Sequence, residues 1–160
     1  MNQFLVRLAQ PREATALTAL CARSNAHWGY DADFMRLSAT ALTIPPTMIE
    51  AGHVLVAEDR HASLVGVVAV QKMDCGDKFD LAQLFVDPSA IRTGIGRALF
   101  EAAVTLVARN GGSRLSILSD PFAEAFYIRL GAVRIGEAPS EAIPGRRLPL
   151  LEYAIPDRHK

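Results

Sequence analysis

Glycine and arginine residues at 94–97, in the order Gly-Ile-Gly-Arg, carry the most specific chemical signal in the sequence. An apolar run at 84–86 precedes them, and a helix with an apolar stripe is predicted to begin at the second glycine. Glycine has no Cβ, so the backbone can turn sharply and lie close to a ligand. The first N–H groups of a helix have no partner within it, and the helix dipole adds partial positive charge. These features together predict a site for a phosphate-bearing ligand.

Arg92 and Arg97 add full positive charges to this loop. The same glycines would also suit a plain turn before any helix. A dinucleotide-binding fold would need a third glycine where Leu99 stands. A P-loop would need lysine followed by serine or threonine after its last glycine. The loop by itself therefore leaves two interpretations open, a phosphate site of another type and a plain turn.

Length and charge narrow the class of protein. The chain has 160 residues, half of them hydrophobic, with 17 basic and 17 acidic side chains. We expect one globular domain over 1–160, with no net field that would favour nucleic acid or an anionic membrane surface. Cys21 and Cys75 lack any recognisable spacing, the histidines are scattered, and we expect no metal and no disulfide scaffold. Cysteine usage and the lack of a signal-peptide pattern at 1–7 favour the cytoplasm.

Hydrophobic periodicity predicts an α/β fold with a mixed sheet, helices on both faces and the order β-αα-βββ-α-β-α-ββ. The predicted strands cover 4–8, 54–57, 64–71, 79–86, 115–118, 133–136 and 150–155. The predicted helices begin at 11, 31 and 96, a short turn ends at 49, a last helix covers 120–130, and a loop covers 25–30. Strand 64–71 is apolar almost throughout, which indicates burial on both faces. Strand 115–118 follows a helical crossover and should lie parallel to 79–86.

Two motifs flank the predicted central helix and the strand that follows it. The first runs through Leu84-Phe85-Val86-Asp87-Pro88 to Gly94-Ile95-Gly96-Arg97-Ala98-Leu99. The second comprises Ser119-Asp120-Pro121, Ala123, Phe126-Tyr127 and Leu130-Gly131. In order and within the right elements, they resemble the cofactor motifs of the GNAT superfamily of acetyl-CoA-dependent N-acetyltransferases. The resemblance covers nearly the whole chain, and it implies the GNAT fold and acetyl-CoA or coenzyme A as cofactor.

The resemblance also implies where the cofactor lies. Its pantetheine arm would pass between two splayed parallel strands, here 79–86 and 115–118, and its pyrophosphate would lie on the glycine loop. The implied cofactor-binding residues are Leu84, Phe85, Val86, Arg92, Thr93, Gly94, Ile95, Gly96, Arg97, Ala98, Asp120, Ala123 and Phe126. Two positions depart from the family pattern, which usually has Gln or Arg where Ile91 stands and often Asn where Phe122 stands.

For catalysis, the resemblance implies that the Tyr127 hydroxyl lies near the cofactor sulfur and protonates the leaving thiolate. A tyrosine that only packs its ring is the alternative interpretation. An amine with a pKa of ~10.4 is mostly protonated at neutral pH, so a base is needed as well. Asp80 is the candidate, because related sequences often carry an acid at this place in the strand, and a polar strand end after a turn is the alternative.

The aromatic loop containing His27, Trp28 and Tyr30 is the candidate acceptor site, since the family forms its acceptor pocket in this region. The aromatic rings could stack on an amine substrate, or they could pin the loop onto the core. The expected partner is a small-molecule or peptide amine, and a homodimer through the C-terminal strands would also fit the family.

The resemblance therefore implies transfer of acetyl from acetyl-CoA to a primary amine, by direct attack and without a covalent enzyme intermediate. A non-catalytic sensor or scaffold that binds acyl-CoA is the alternative from another class. An enzyme of the same fold that uses a longer acyl group is a third possibility.

Overall fold

The computed structural model describes residues 3–74 and 76–156. The helices are α1 (Ala14–Ala26), α2 (Ala32–Leu42), α3 (Pro46–Glu50), α4 (Ile95–Arg109) and α5 (Glu124–Arg129). The strands are β1 (Phe4–Leu8), β2 (Val54–Asp59), β3 (Leu64–Lys72), β4 (Lys78–Val86), β5 (Arg114–Leu118), β6 (Val133–Pro139) and β7 (Arg147–Ala154). The predicted order of elements is confirmed, and so is the α/β class.

One seven-stranded sheet has the order β1-β2-β3-β4-β5-β7-β6. Neighbouring strands are antiparallel except β4 and β5, which are parallel. The helix between β4 and β5 crosses over the sheet and returns the chain in the same direction, as the sequence predicts.

Helices cover both faces of the sheet, and each face has its own hydrophobic cluster. Leu17 and Leu20 of α1 pack with Val67 on one face, whereas Leu99 of α4 packs with Val68 on the other. Successive side chains of a strand point to opposite faces. The β3 segment 65–70 is buried throughout, which confirms the prediction of a strand covered on both sides.

Strands β4 and β5 separate soon after they meet. They pair only from Lys78 opposite Arg114 to Asp80 opposite Ser116. On its other edge β4 stays paired with β3, but Leu81 lies opposite Val70 and Gln83 lies opposite Ala69, so Ala82 is an extra residue. Such a bulge bends the strand that carries it. The predicted splay between these two strands is therefore present.

Several predicted boundaries were wrong. The last helix begins at Glu124 rather than at 120, because the Asp120 side chain accepts the Phe122 N–H at 2.9 Å and folds the segment into a turn. Helix α1 extends through Ala26, which shortens the loop predicted at 25–30. The structure also moves the ends of β2, β6 and β7, the last of which begins at Arg147 and ends at Ala154.

Gly112, between α4 and β5, lets the helix end close to the paired part of β4. A Cβ at this position would lie 2.4 Å from Val107 Cγ1 and 2.7 Å from Phe79 Cδ1, both in buried side chains. We expect Gly112→Ala to lower the free energy of unfolding by about 1–3 kcal/mol, as overpacking usually does. Urea denaturation measures this change in the free energy of unfolding. Val107→Ala opens the space that the new methyl group needs, so in a double-mutant cycle the losses of unfolding free energy from the two substitutions should be less than additive. Strictly additive losses would contradict the steric explanation.

Candidate functional site

The glycine loop ends in a left-handed turn at the start of α4. Gly94 has φ +87° and caps the helix, a conformation that favours glycine. The first intrahelical hydrogen bond runs from the Ala98 N–H to the Gly94 carbonyl oxygen, at 3.1 Å. The N–H groups of residues 95–97 therefore point out of the helix end, where the dipole is positive. This end of α4 is suited to binding an anion.

The segment before the glycines is folded tightly on itself. Asp87 caps a short helical turn at Pro88–Ala90 by accepting a backbone N–H, and the Thr93 hydroxyl donates to the Ala90 carbonyl oxygen. Arg92 has a positive φ of 69°, which is uncommon for a residue with a side chain. These contacts define the path of the loop and leave the Arg92 side chain exposed.

A cleft of about 520 Å³ occupies the opening between β4 and β5. Most of the residues implied as cofactor-binding line it: Leu84, Phe85, Val86, Arg92, Gly94, Gly96, Arg97, Asp120, Ala123 and Phe126. Tyr127 and Trp28 also line this cleft. The fold therefore gathers both sequence motifs and part of the aromatic loop around one cavity.

Some candidate residues lie outside the cleft wall, namely Thr93, Ile95, Ala98, Asp80, His27 and Tyr30. Ile95 is 4% exposed and packs into the hydrophobic cluster beneath α4. Its side chain supports the helix, so what it offers a ligand is its backbone N–H.

Tyr127 is buried in α5, with 6% of its surface exposed. Its ring lies edge-on to Phe126, with centroids 5.1 Å apart, and 6.0 Å from Phe100. Burial raises the pKa of the Tyr127 hydroxyl, and the negative charge of Asp120 raises it further. The group therefore stays protonated at neutral pH, and its side chain lines the cleft.

Asp80 projects from the opposite face of the sheet. Its neighbours Phe79 and Leu81 belong to the cluster on the α4 side, so the alternation of a strand directs Asp80 toward the α1 side. Burial raises the pKa of Asp80 to about 6, and repulsion from Glu141 in the β6–β7 loop adds to the rise. Asp80 lies in the last residue pair before the strands separate.

Tyr30 joins three segments of the chain. Its hydroxyl donates to Asp120 Oδ2 at 2.7 Å and accepts from Arg146 Nη2 at 3.0 Å. Its ring stacks on Phe34 with centroids 3.9 Å apart, and the Arg146 guanidinium lies 4.8 Å from the Phe34 centroid. Tyr30 thus holds the α1–α2 loop in place. No sequence motif pointed to Arg146 as a partner, because its contacts depend on where the β6–β7 loop folds back.

Trp28 and Phe122 form an aromatic wall on the cleft. Their rings are stacked, with centroids 5.1 Å apart and planes inclined by 5°, and both side chains are partly exposed. His27 lies edge-on to Trp28 at 5.3 Å. The departure from the family pattern at Phe122 therefore supplies the stacking partner of Trp28.

Gln83 is a cleft residue that sequence reasoning missed. It is 8% exposed, and its Nε2 donates to the carbonyl oxygens of Ala41 at 3.1 Å and Thr43 at 3.4 Å. The signal that could have revealed it is a lone polar residue within the apolar run 81–86.

Metal binding and membrane insertion find no support in the part of the chain that the structure describes. No group of three or more His, Cys, Asp or Glu side chains there could hold a metal ion. None of the helices there has both the length and the apolar content needed to cross a bilayer.

Comparison with known proteins gives one family. The model of the acetyltransferase (GNAT) domain matches residues 40–142, well over half of the chain. The structure is similar to a GCN5-related N-acetyltransferase of Rhodopseudomonas palustris, with a TM-score of 0.75 at 19% identity over 96% of this chain and 97% of that one. It is also similar to the PaiA N-acetyltransferase of Thermoplasma acidophilum in complex with coenzyme A, with a TM-score of 0.73 at 13% identity over 96% and 99%.

A third similar structure is N-acetylglutamate synthase of Neisseria gonorrhoeae, complexed with coenzyme A and N-acetyl-glutamate. The TM-score is 0.69 at 19% identity over 97% of this chain and 36% of that one. At these identities the structural matches show a shared fold.

The raised pKa of Asp80 predicts a pH-dependent stability. Between about pH 4 and 6 the folded protein keeps the Asp80 proton that the unfolded chain releases. The contribution of Asp80 to the free energy of unfolding therefore falls as the pH rises through this range, by at most about 3 kcal/mol. We expect Asp80→Asn to gain stability relative to the wild type between pH 4 and pH 7, as measured by urea denaturation. The exposed Asp74→Asn control should show no such gain, and an equal gain in both variants would contradict the assignment to Asp80.

Proposed function

Because this chain belongs to the GNAT acetyltransferase family, we propose that it transfers the acetyl group of acetyl-CoA to a primary amine of a small molecule or peptide. The observation that carries this proposal is the cleft between β4 and β5, which has the glycine loop in its wall. This one cavity brings together a helix N-terminus, an unpaired strand edge and a protonated tyrosine.

The cleft suits acetyl-CoA in shape and chemistry. The outward N–H groups of residues 95–97 and the charges of Arg92 and Arg97 match a pyrophosphate. Beyond Asp80, the β4 edge that faces the cleft is not paired with β5, so backbone groups at residues such as Phe85 are available to the amides of a pantetheine arm. The match to structures solved with coenzyme A supports the same cofactor.

Bound acetyl-CoA would supply an acetyl thioester, whose carbonyl carbon an amine attacks and whose thiol leaves. Tyr127 would act as the general acid that gives a proton to the departing sulfur, because its hydroxyl stays protonated in the cleft. Backbone N–H groups at Gly94, Ile95, Gly96 and Arg97 would hold the pyrophosphate, and Asp120, Ala123 and Phe126 would line the wall beside it.

The acceptor amine would approach from the α1–α2 side of the sheet. Trp28 lies on the cleft there, while His27 and Tyr30 belong to the same loop. Asp80, with a pKa of about 6, is ionised at neutral pH and would take a proton from the amine through water, since it lies outside the cleft wall.

A panel of primary amines, assayed by thiol release from acetyl-CoA, tests the proposed function. Calorimetry with acetyl-CoA and with NAD runs beside it. Binding of acetyl-CoA with amine-dependent thiol release supports the transferase. Tight binding without thiol release from any amine would instead favour the non-catalytic sensor, and absence of binding would contradict both.

Gly94 and Gly111, at opposite ends of α4, give a matched pair of variants. Both have a positive φ and open space where a Cβ would lie, so alanine should cost each about 1 kcal/mol of stability. Only Gly94 lines the cleft. We expect Gly94→Ala to weaken acetyl-CoA binding about tenfold or more in calorimetry, because its methyl group takes ligand space. Gly111→Ala should bind as the wild type does, and equal losses in both variants would contradict the proposed site.

Tyr127→Phe tests the general acid. We expect kcat to fall by about a hundredfold or more, with little change in the calorimetric Kd for acetyl-CoA. Tyr153→Phe is the control, since both tyrosine rings contact Phe100 but Tyr153 lies outside the cleft. An unchanged kcat in Tyr127→Phe would remove this residue from the mechanism.

A further inference from the structure

Gln83 has a buried oxygen without a hydrogen-bond partner. Within residues 3–74 and 76–156, its Oε1 is the one buried side-chain nitrogen or oxygen atom that lacks a partner. The residue lies in the cleft wall, just after the bulge of β4. A buried acceptor that has lost water and gained no donor is unfavourable, so this atom suggests a place for a ligand donor.

The orientation of the amide is determined by its surroundings. Nε2 lies 3.1 Å from the Ala41 carbonyl oxygen and 3.4 Å from the Thr43 carbonyl oxygen. Carbonyl oxygens only accept hydrogen bonds, so the NH2 group must face them and a flipped amide would bring oxygen against oxygen. The Oε1 atom is thereby left without a donor among residues 3–74 and 76–156.

Gln83 lies on the side of the sheet proposed for the acceptor. Its amide contacts the end of α2, and the neighbouring cleft residues on this side include Ser24, Asn25 and Trp28 from α1 and its following loop. The glycine loop and Tyr127 belong to the other side, with α4 and α5. This position favours an N–H of the acceptor over one of the cofactor as the missing donor.

We propose that Gln83 Oε1 accepts an N–H hydrogen bond from the acceptor nitrogen, and that this contact selects primary amines. The inference rests on the proposed function. When a primary amine attacks the thioester, a nitrogen–carbon bond forms, the carbon–sulfur bond breaks, the nitrogen loses one proton to the base and the sulfur takes one from the acid. The amide product keeps one N–H, so the bond to Gln83 can persist from substrate to product.

Other nucleophiles cannot keep this bond. An alcohol loses its one O–H proton when it becomes an ester, and a secondary amine keeps no N–H in its tertiary amide. In each of them the single proton is the one that the base removes, so Oε1 loses its donor during the attack itself. A site whose buried acceptor is left unpaired rejects such analogues, and we expect a preference of about ten- to a hundredfold for the primary amine.

Matched acceptors test the selectivity. Each set of probes contains a primary amine, a secondary amine and an alcohol, assayed with acetyl-CoA by thiol release. The small set is methylamine, dimethylamine and methanol, and the larger set is benzylamine, N-methylbenzylamine and benzyl alcohol. In Gln83→Met the ratio of kcat/KM for primary over secondary amine should fall about tenfold or more, because the oxygen is gone.

Equilibrium binding separates the possible donors. The calorimetric Kd of acetyl-CoA should change little in Gln83→Met, and a large loss of acetyl-CoA affinity with an unchanged amine ratio would overturn the proposal in favour of a cofactor N–H. An equal fall for primary and secondary amines would overturn it in favour of a structural role.

Side-chain amide NMR of the wild type gives a readout that needs neither turnover nor a stable variant. The Gln83 amide signal should move when methylamine or benzylamine is added to the coenzyme A complex. No further shift when an amine that binds the coenzyme A complex in calorimetry is added would overturn the proposal. Bound acetyl-CoA without thiol release from any amine would mark failure of the proposed function, and the NMR result would still decide the role of Gln83.

Discussion

Two parallel strands that stop hydrogen bonding after three residue pairs create the space on which the rest of the site depends. Each strand keeps a partner on its outer edge, β3 for β4 and β7 for β5, so the sheet remains continuous while its centre opens. A single extra residue, Ala82, accompanies the change of direction. Buried backbone groups normally must be paired, so the strand edge left unpaired beyond Asp80 suits a ligand with its own amides.

The two faces of the sheet carry different chemistry. On one face, the helix that begins at the glycine loop offers backbone N–H groups and positive charge, and α5 places a protonated phenol beside them. On the other face, the loop after α1 brings aromatic rings, and β4 itself presents a partly buried carboxyl and a glutamine amide. Because the opening lies between these faces, an anionic ligand and an amine can meet without passing through the core.

Much of this arrangement could be predicted from the sequence, since it follows from local rules. Periodicity gave the order of elements, and the positive φ of Gly94 is what a glycine before a helix indicates. Nothing local predicted the bulge at Ala82 or the contact of Arg146 with Tyr30, which are 116 positions apart. Gln83 also depends on tertiary structure, because its partners are carbonyl groups at the end of α2 and just after it, which only the packed helix brings near.

The contact of Tyr30 with Asp120 has a consequence for thermodynamic linkage. Asp120 lies on the cleft wall, and its carboxylate holds the Tyr30 hydroxyl, which is also bonded to Arg146. A ligand that donates a hydrogen bond to this carboxylate competes with Tyr30 and so changes the restraint on both the α1–α2 loop and the β6–β7 loop. Linkage between two sites is reciprocal. If a ligand bound at Asp120 changes the affinity of the protein for an acceptor that orders these loops, that acceptor changes the affinity for the ligand at Asp120 by the same factor.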